Sequence, residues 1–152
     1  MNRRLPLALA LALGLGAIAN GLFMLISPAN WYFAVPGVTT TGPFNQHFLR
    51  DLGLIFLLIG IAMLTGAARP AARVTLWSLA ALWLGGHALF HFWEVAVGIC
   101  GTGALVQDVP AVTLPAILTA ALALWAWRDA AGGSHRPHPA EDSRAAQWQT
   151  PR

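Results

Sequence analysis

The amino-acid sequence predicts an all-α fold: a four-transmembrane-helix bundle, N-in and C-in, followed by a disordered cytoplasmic C-terminal tail. Three observations lead there. Hydrophobic residues make up 57% of the 152-residue chain and charged residues only 10%, against about 25% charged in a soluble domain. The apolar residues gather in four runs, each close to the ~20 residues a helix needs to cross the hydrocarbon core. None of these runs alternates with the period of two that a membrane β-barrel requires, and lipid offers an open backbone no hydrogen-bond partner. With a mean hydropathy of +0.59, a soluble globular monomer is excluded.

The first span is expected over residues 5–26, ending where Ser27-Pro28 interrupts the helical pattern. Met1-Asn2-Arg3-Arg4, the apolar stretch and Ala17-Ile18-Ala19 before Asn20 also resemble a cleavable signal peptide. The apolar run continues through Ile26, however, which favours an uncleaved helix. The second span covers 48–68, with Arg50 and Asp51 near its start. The third covers 74–99 and is apolar apart from Ser78, His87, His91 and Glu94. The fourth covers 109–127 and opens with Pro110, a residue well tolerated in a first helical turn. Residues 1–127 therefore form one membrane domain. Residues 128–152, with Gly132-Gly133, three prolines and mixed charges, cannot bury a core and are expected to be a disordered tail. His135 and His138 are read there as solvated side chains. The loop at 31–46 carries the turn signals Pro36-Gly37 and Gly42-Pro43 and is placed as a lid over the histidine end.

Charge orients the chain. All nine basic residues are arginine, and six carboxylates leave a net charge of +3. Arg3 and Arg4 precede the first span, Arg69 and Arg73 separate the second from the third, and Arg128, Arg136, Arg144 and Arg152 follow the fourth. The two remaining loops hold no arginine, and Arg50 alone stands at that end of the spans. The positive-inside bias puts both termini in the cytoplasm of a bacterial inner membrane. Trp31 and Tyr32 suit the outer interface, and Trp125 and Trp127 the inner one. No basic stripe suggests nucleic acid. The single cysteine, Cys100, excludes an intramolecular disulfide and any Cys-pair metal site.

Polar side chains inside a membrane are costly and mark functional sites by default. His87, His91 and Glu94 fall on one face of the third span, with Trp83 a turn away. Gly85 and Gly86 beside them invite close approach of another helix. His47, Arg50 and Asp51 share a face at the start of the second span, and antiparallel packing sets them level with His91 and Glu94. Arg50 is expected to pair with Glu94, and Asp51 to accept from an imidazole of the third span. Asn20 lies at comparable depth, and Asp108 closes the ring from the fourth span, where a carboxylate suits a helix N-terminus.

Three readings of this cluster stand side by side. His87, His91 and Glu94 are candidate ligands for a metal or haem, although the HExxH pattern of metalloproteases is absent. His91 and Glu94 are candidate acid–base groups acting on a lipophilic substrate that enters from the bilayer. Alternatively, the whole set is a buried hydrogen-bond network that fixes helix packing.

The stretch Leu25-Ile-Ser-Pro28-Ala-Asn-Trp, the opening Arg50-Asp51-Leu-Gly53 with its continuation Leu-Ile-Phe-Leu-Leu-Ile-Gly60, and the loop-charge pattern resemble the small bacterial four-helix membrane proteins related to DoxX, over roughly residues 5–127. The resemblance implies an integral membrane protein and, for some relatives, quinone-linked oxidation or redox-stress complexes. His87, His91 and Glu94 are not part of that pattern, so no catalytic residue carries over. The leading expectation is a small membrane protein whose ligand- or cofactor-binding pocket comprises Asn20, His47, Arg50, Asp51, His87, His91 and Glu94. A membrane-embedded enzyme on a lipophilic or quinone-type substrate, and a non-catalytic subunit of a membrane complex or homo-oligomer, are the alternatives.

Overall fold

A computed structural model describes residues 3–133, and every regular element in that range is helical. In order these are α1 (Arg4–Ile26), α2 (Pro28–Ala34), α3 (Val38–Thr41), α4 (Gln46–Ala68), α5 (Pro70–Ala96), α6 (Gly103–Asp108), a single π-helical turn (Val109–Thr113) and α7 (Leu114–Gly133). Three helices are long and apolar enough to cross a membrane: α1, α4, and the continuous rod Gly103–Gly132 made by α6, the π turn and α7. This is the composition of a multi-pass membrane protein. At 27 residues α5 is the longest single element, roughly 40 Å at 1.5 Å per residue, but its apolar run is broken by Arg73, His87, His91 and Glu94. The four long helices touch in the order α1, α4, α5, α7, and α1 closes on α7.

Local chemistry sets the boundaries. Ser27 leaves helical geometry, and Pro28 then opens α2 at its first position, where a missing N–H costs nothing. The loop expected at 31–46 therefore contains two short helices. Asn45 caps α4, its side-chain oxygen accepting from the Phe48 N–H at 3.1 Å, a standard use of asparagine. Arg69 alone joins α4 to α5. It precedes Pro70 and is extended (φ −119°, ψ 95°), the conformation a following proline imposes. The third helix thus begins four residues before the expected start at 74 and takes Arg73 into its first turn. It ends at Ala96, ahead of Gly98 at φ +79°.

The last helix departs furthest from expectation. It begins at Gly103 rather than 109, so Pro110 lies inside it. Proline lacks an N–H and crowds the preceding turn; the chain responds by widening into the π turn, with the Leu114 N–H reaching back to Val109. The helix also runs on through residues 128–133, which the sequence assigned to a disordered tail. The remainder of that segment, with His135 and His138, lies outside the described residues.

Two modes of packing hold the helices. Along α1 and α4, Gly14 faces Gly60 and Gly21 faces Gly53. A Cβ on Gly21 would sit 2.6 Å from the Gly53 carbonyl oxygen, and one on Gly60 would sit 2.7 Å from that of Gly14. The two backbones are in direct contact, as small residues permit in membranes. The α4–α5–α7 side instead packs on large side chains. Trp77 is fully buried, lies 6.0 Å from the Trp125 ring and donates its indole N–H to the Met63 carbonyl at 3.1 Å. At one end Arg3 pairs with Asp129 at 3.0 Å. The start of α1 and the end of α7 therefore lie together, beside the α4–α5 corner, with Arg69 and Arg73 at that same end.

Candidate functional site

At the opposite end, α5 stacks its polar side chains along one face. Trp83, His87 and His91 are spaced by four, so each ring meets the next one turn on. The Trp83 and His87 rings stack at 5.1 Å and 21°. His87 and His91 meet edge to face at 4.7 Å and 83°. Phe56 of α4 backs Trp83, edge on, at 5.6 Å. The row ends on Asp108, the last residue of α6, whose Oδ2 lies 2.8 Å from His91 Nδ1. This pair is half-buried, with side-chain exposures of 24% and 19%.

The chemistry of that contact is directional. An ionised carboxylate only accepts hydrogen bonds, so the proton belongs on Nδ1 and Nε2 is left to accept a hydrogen bond or a proton. A carboxylate that fixes tautomer and ring orientation is the usual support for an imidazole that exchanges protons. Beside the row is a shallow depression of ≈ 410 Å³ lined by Leu82, Trp83, Gly86, His87 and Phe90. All five come from α5. The depression exists because Gly86 places no side chain between Leu82 and Phe90.

Only part of the expected cluster assembles. His87 and His91 adjoin as expected, and Asp108 closes on them. Arg50 does not reach Glu94: its Nε donates to the Leu25 carbonyl at 3.2 Å, where a cation offsets the negative end of the α1 dipole. Asp51 lies instead beside His47 of its own helix, its Oδ2 3.3 Å from Nε2, with both side chains exposed. Asn20 accepts from the Trp31 indole N–H at 2.8 Å and so ties α2 back onto α1. Trp31 is thereby partly withdrawn from the interface. Tyr32 is buried, its hydroxyl donating to the Gly42 carbonyl at 2.7 Å. Short local reach explains these outcomes: each α4 or α1 group finds a backbone or near-sequence partner before the distant helix.

The metal or haem triad is likewise not gathered. Among the described residues no three of His, Cys, Asp and Glu lie close enough to hold a metal ion. Asp108 occupies the Nδ1 of His91, and Glu94 completes no set with the two imidazoles. Gly85 and Gly86 were expected to admit a neighbouring helix, yet nothing lies within 4 Å of where their Cβ atoms would be. They leave open space because α4 and α7 pack on the Ala80, Leu84 and Ala88 side of α5.

One polar centre was missed. Arg73, counted as a loop charge, is only 5% exposed. Its Nε donates to the Gly66 carbonyl at 2.8 Å and its Nη2 to that of Ala67 at 3.1 Å, and its guanidinium lies over the rings of Trp77 and Trp125 at 5.4 and 5.6 Å. The signal was the spacing Arg73–Trp77 after a proline-started helix, which puts guanidinium and indole on one face.

No protein-family model matches the chain, and comparisons with curated proteins and with solved structures give no match either.

Proposed function

We propose that the chain is a four-crossing protein of the bacterial inner membrane whose His87–His91–Asp108 row binds a lipophilic ligand through a hydrogen-bonding head group. α5 is the additional crossing. It runs antiparallel to α4 from the one-residue corner at Arg69, and its apolar outer face, with Leu79, Leu82 and Leu89 exposed, suits lipid. By sequence, eight of the nine arginines flank the spans on the side of the termini and only Arg50 stands on the other, a bias that supports cytoplasmic termini. Labelling tests this topology. In intact spheroplasts a membrane-impermeant maleimide should modify Cys100, just beyond α5, and should not modify Arg69→Cys in a Cys100→Ala background. Equal labelling of both overturns the fourth crossing.

The observation that carries the binding reading is the 2.8 Å His91–Asp108 contact next to an open apolar notch on the same helix. A ligand lying in the notch meets Trp83 and Phe90 with its apolar body and brings a hydroxyl or acid to the imidazole row. His91 Nε2 accepts that hydrogen bond and, where the ligand reacts, takes its proton; Asp108 holds the resulting imidazolium. Mass spectrometry of lipid-soluble molecules retained by protein purified in native membrane discs tests this. The parent should retain a species beyond bulk lipid, and His91→Ala or Asp108→Asn should lose about 90% of it, since a hydrogen bond to a charged group is worth roughly 1.5–3 kcal/mol. Retention unchanged in both variants, or none in the parent, overturns the reading.

A further inference from the structure

The second polar centre lies at the other end of the molecule and is independent of the histidine row. We infer that the Arg73 cage and the arginines around it form a binding site for the phosphate of an anionic phospholipid.

The guanidinium of Arg73 is fixed on three sides. Two of its nitrogens are held by the last carbonyls of α4, and the Trp77 and Trp125 indoles cover it. No carboxylate pairs with it among the described residues. Nη1 has no hydrogen-bond partner there, and no fully buried polar side-chain atom lacks a partner; Nη1 therefore keeps some access to solvent in a residue that is otherwise 5% exposed. A cation set this way presents one N–H edge in a fixed direction, with little rotamer entropy left to lose when an anion arrives.

The surroundings repeat the same sign. Arg69 is one turn before Arg73, and Arg128 is one turn beyond Trp125 toward the same end; both are exposed. Asp129, the described carboxylate at this end, is already engaged by Arg3 at 3.0 Å. Positive charge at the mouth of apolar helices falls where a leaflet presents its phosphates, and basic pockets between membrane helices bind anionic head groups. The indole pair supplies the amphipathic floor such an interface favours. Free phosphate offers the same chemistry without acyl chains to occupy the apolar flank, so the lipid is the ligand.

The test uses the full-length protein in a neutral detergent, with phosphatidylglycerol, phosphatidylcholine of matched acyl chains, and inorganic phosphate as separate probes. Native mass spectrometry reads bound lipid and thermal unfolding reads stabilisation. Phosphatidylglycerol should bind and raise the unfolding temperature well above the effect of phosphatidylcholine, and inorganic phosphate at the same concentration should do neither. Arg69→Gln with Arg128→Gln alters exposed side chains only and should weaken phosphatidylglycerol binding roughly fivefold per arginine. Arg73→Lys keeps the charge but not the two-carbonyl bridge and should weaken it further. Equal binding of the two lipids, an undiminished affinity in the double variant, or full reproduction by inorganic phosphate would each overturn the proposal. If Arg73→Lys does not fold, the double variant still decides.

Discussion

Two glycine pairs bring α1 and α4 into backbone contact, whereas the paired glycines of α5 touch nothing. The residue type is the same and the physical role is opposite. Gly14, Gly21, Gly53 and Gly60 remove side chains so that two helices can close. Gly86 leaves a notch open beside His87, and Gly85 next to it faces open space. The two halves of the molecule follow suit. Where the glycines meet, the α1–α4 half is close backbone contact with little room for change. The α5–α7 half holds the buried arginine, the indole pair and the histidine row. One side closes on backbone contact and the other encloses polar side chains.

The largest expected effect lies in the second half. Trp77→Ala removes a fully buried side chain that fills the space under Arg73 and satisfies the Met63 carbonyl. Such truncations cost about 3–5 kcal/mol, and thermal unfolding in detergent should show the loss. A variant as stable as the parent would mean that the indole cage does not hold α4, α5 and α7 together.

Next comes a contrast within the glycines themselves. Gly60→Ala puts a methyl group 2.5 Å from Ile18 Cγ1 and 2.7 Å from a backbone oxygen. The oxygen cannot move without its helix, so α1 must shift, at about 1–3 kcal/mol. Gly85→Ala meets open space and should gain about 0.5–1 kcal/mol from the better helix former. Unfolding midpoints of the two variants should move in opposite directions. Movement in the same direction would dissolve the distinction between closed and open glycines.

Much of this architecture was legible in the sequence. Apolar run length and proline placement located all four long helices to within a few residues at most ends, because those signals are local. The error at the fourth helix came from treating Pro110 as a starter, when the seven residues before it were already helical. The site was legible along one helix and not between helices. Trp83, His87 and His91 share a face by spacing alone. Whether Asp108, Asp51 or Arg50 reaches them depends on helix rotation, which no single-helix pattern specifies. Arg50, Asp51 and Asn20 each found a partner nearby in space at its own end of the fold. Arg73 was misplaced for a related reason: loop-charge counting assumes that a charge near a span's end is solvated, and a guanidinium can instead be held by the carbonyls ending the previous helix.

The π turn after Asp108 has a consequence of its own. It holds one residue more than an ordinary turn, so everything before it is rotated by about 100° relative to an unbroken α-helix. Removing a single residue there, such as Ala111, would restore regular winding and leave both flanking helices intact. It would also swing the aspartate away from the imidazole. The alignment of the two groups thus depends on a single surplus residue in the helix, placed where a proline makes it easy to accommodate.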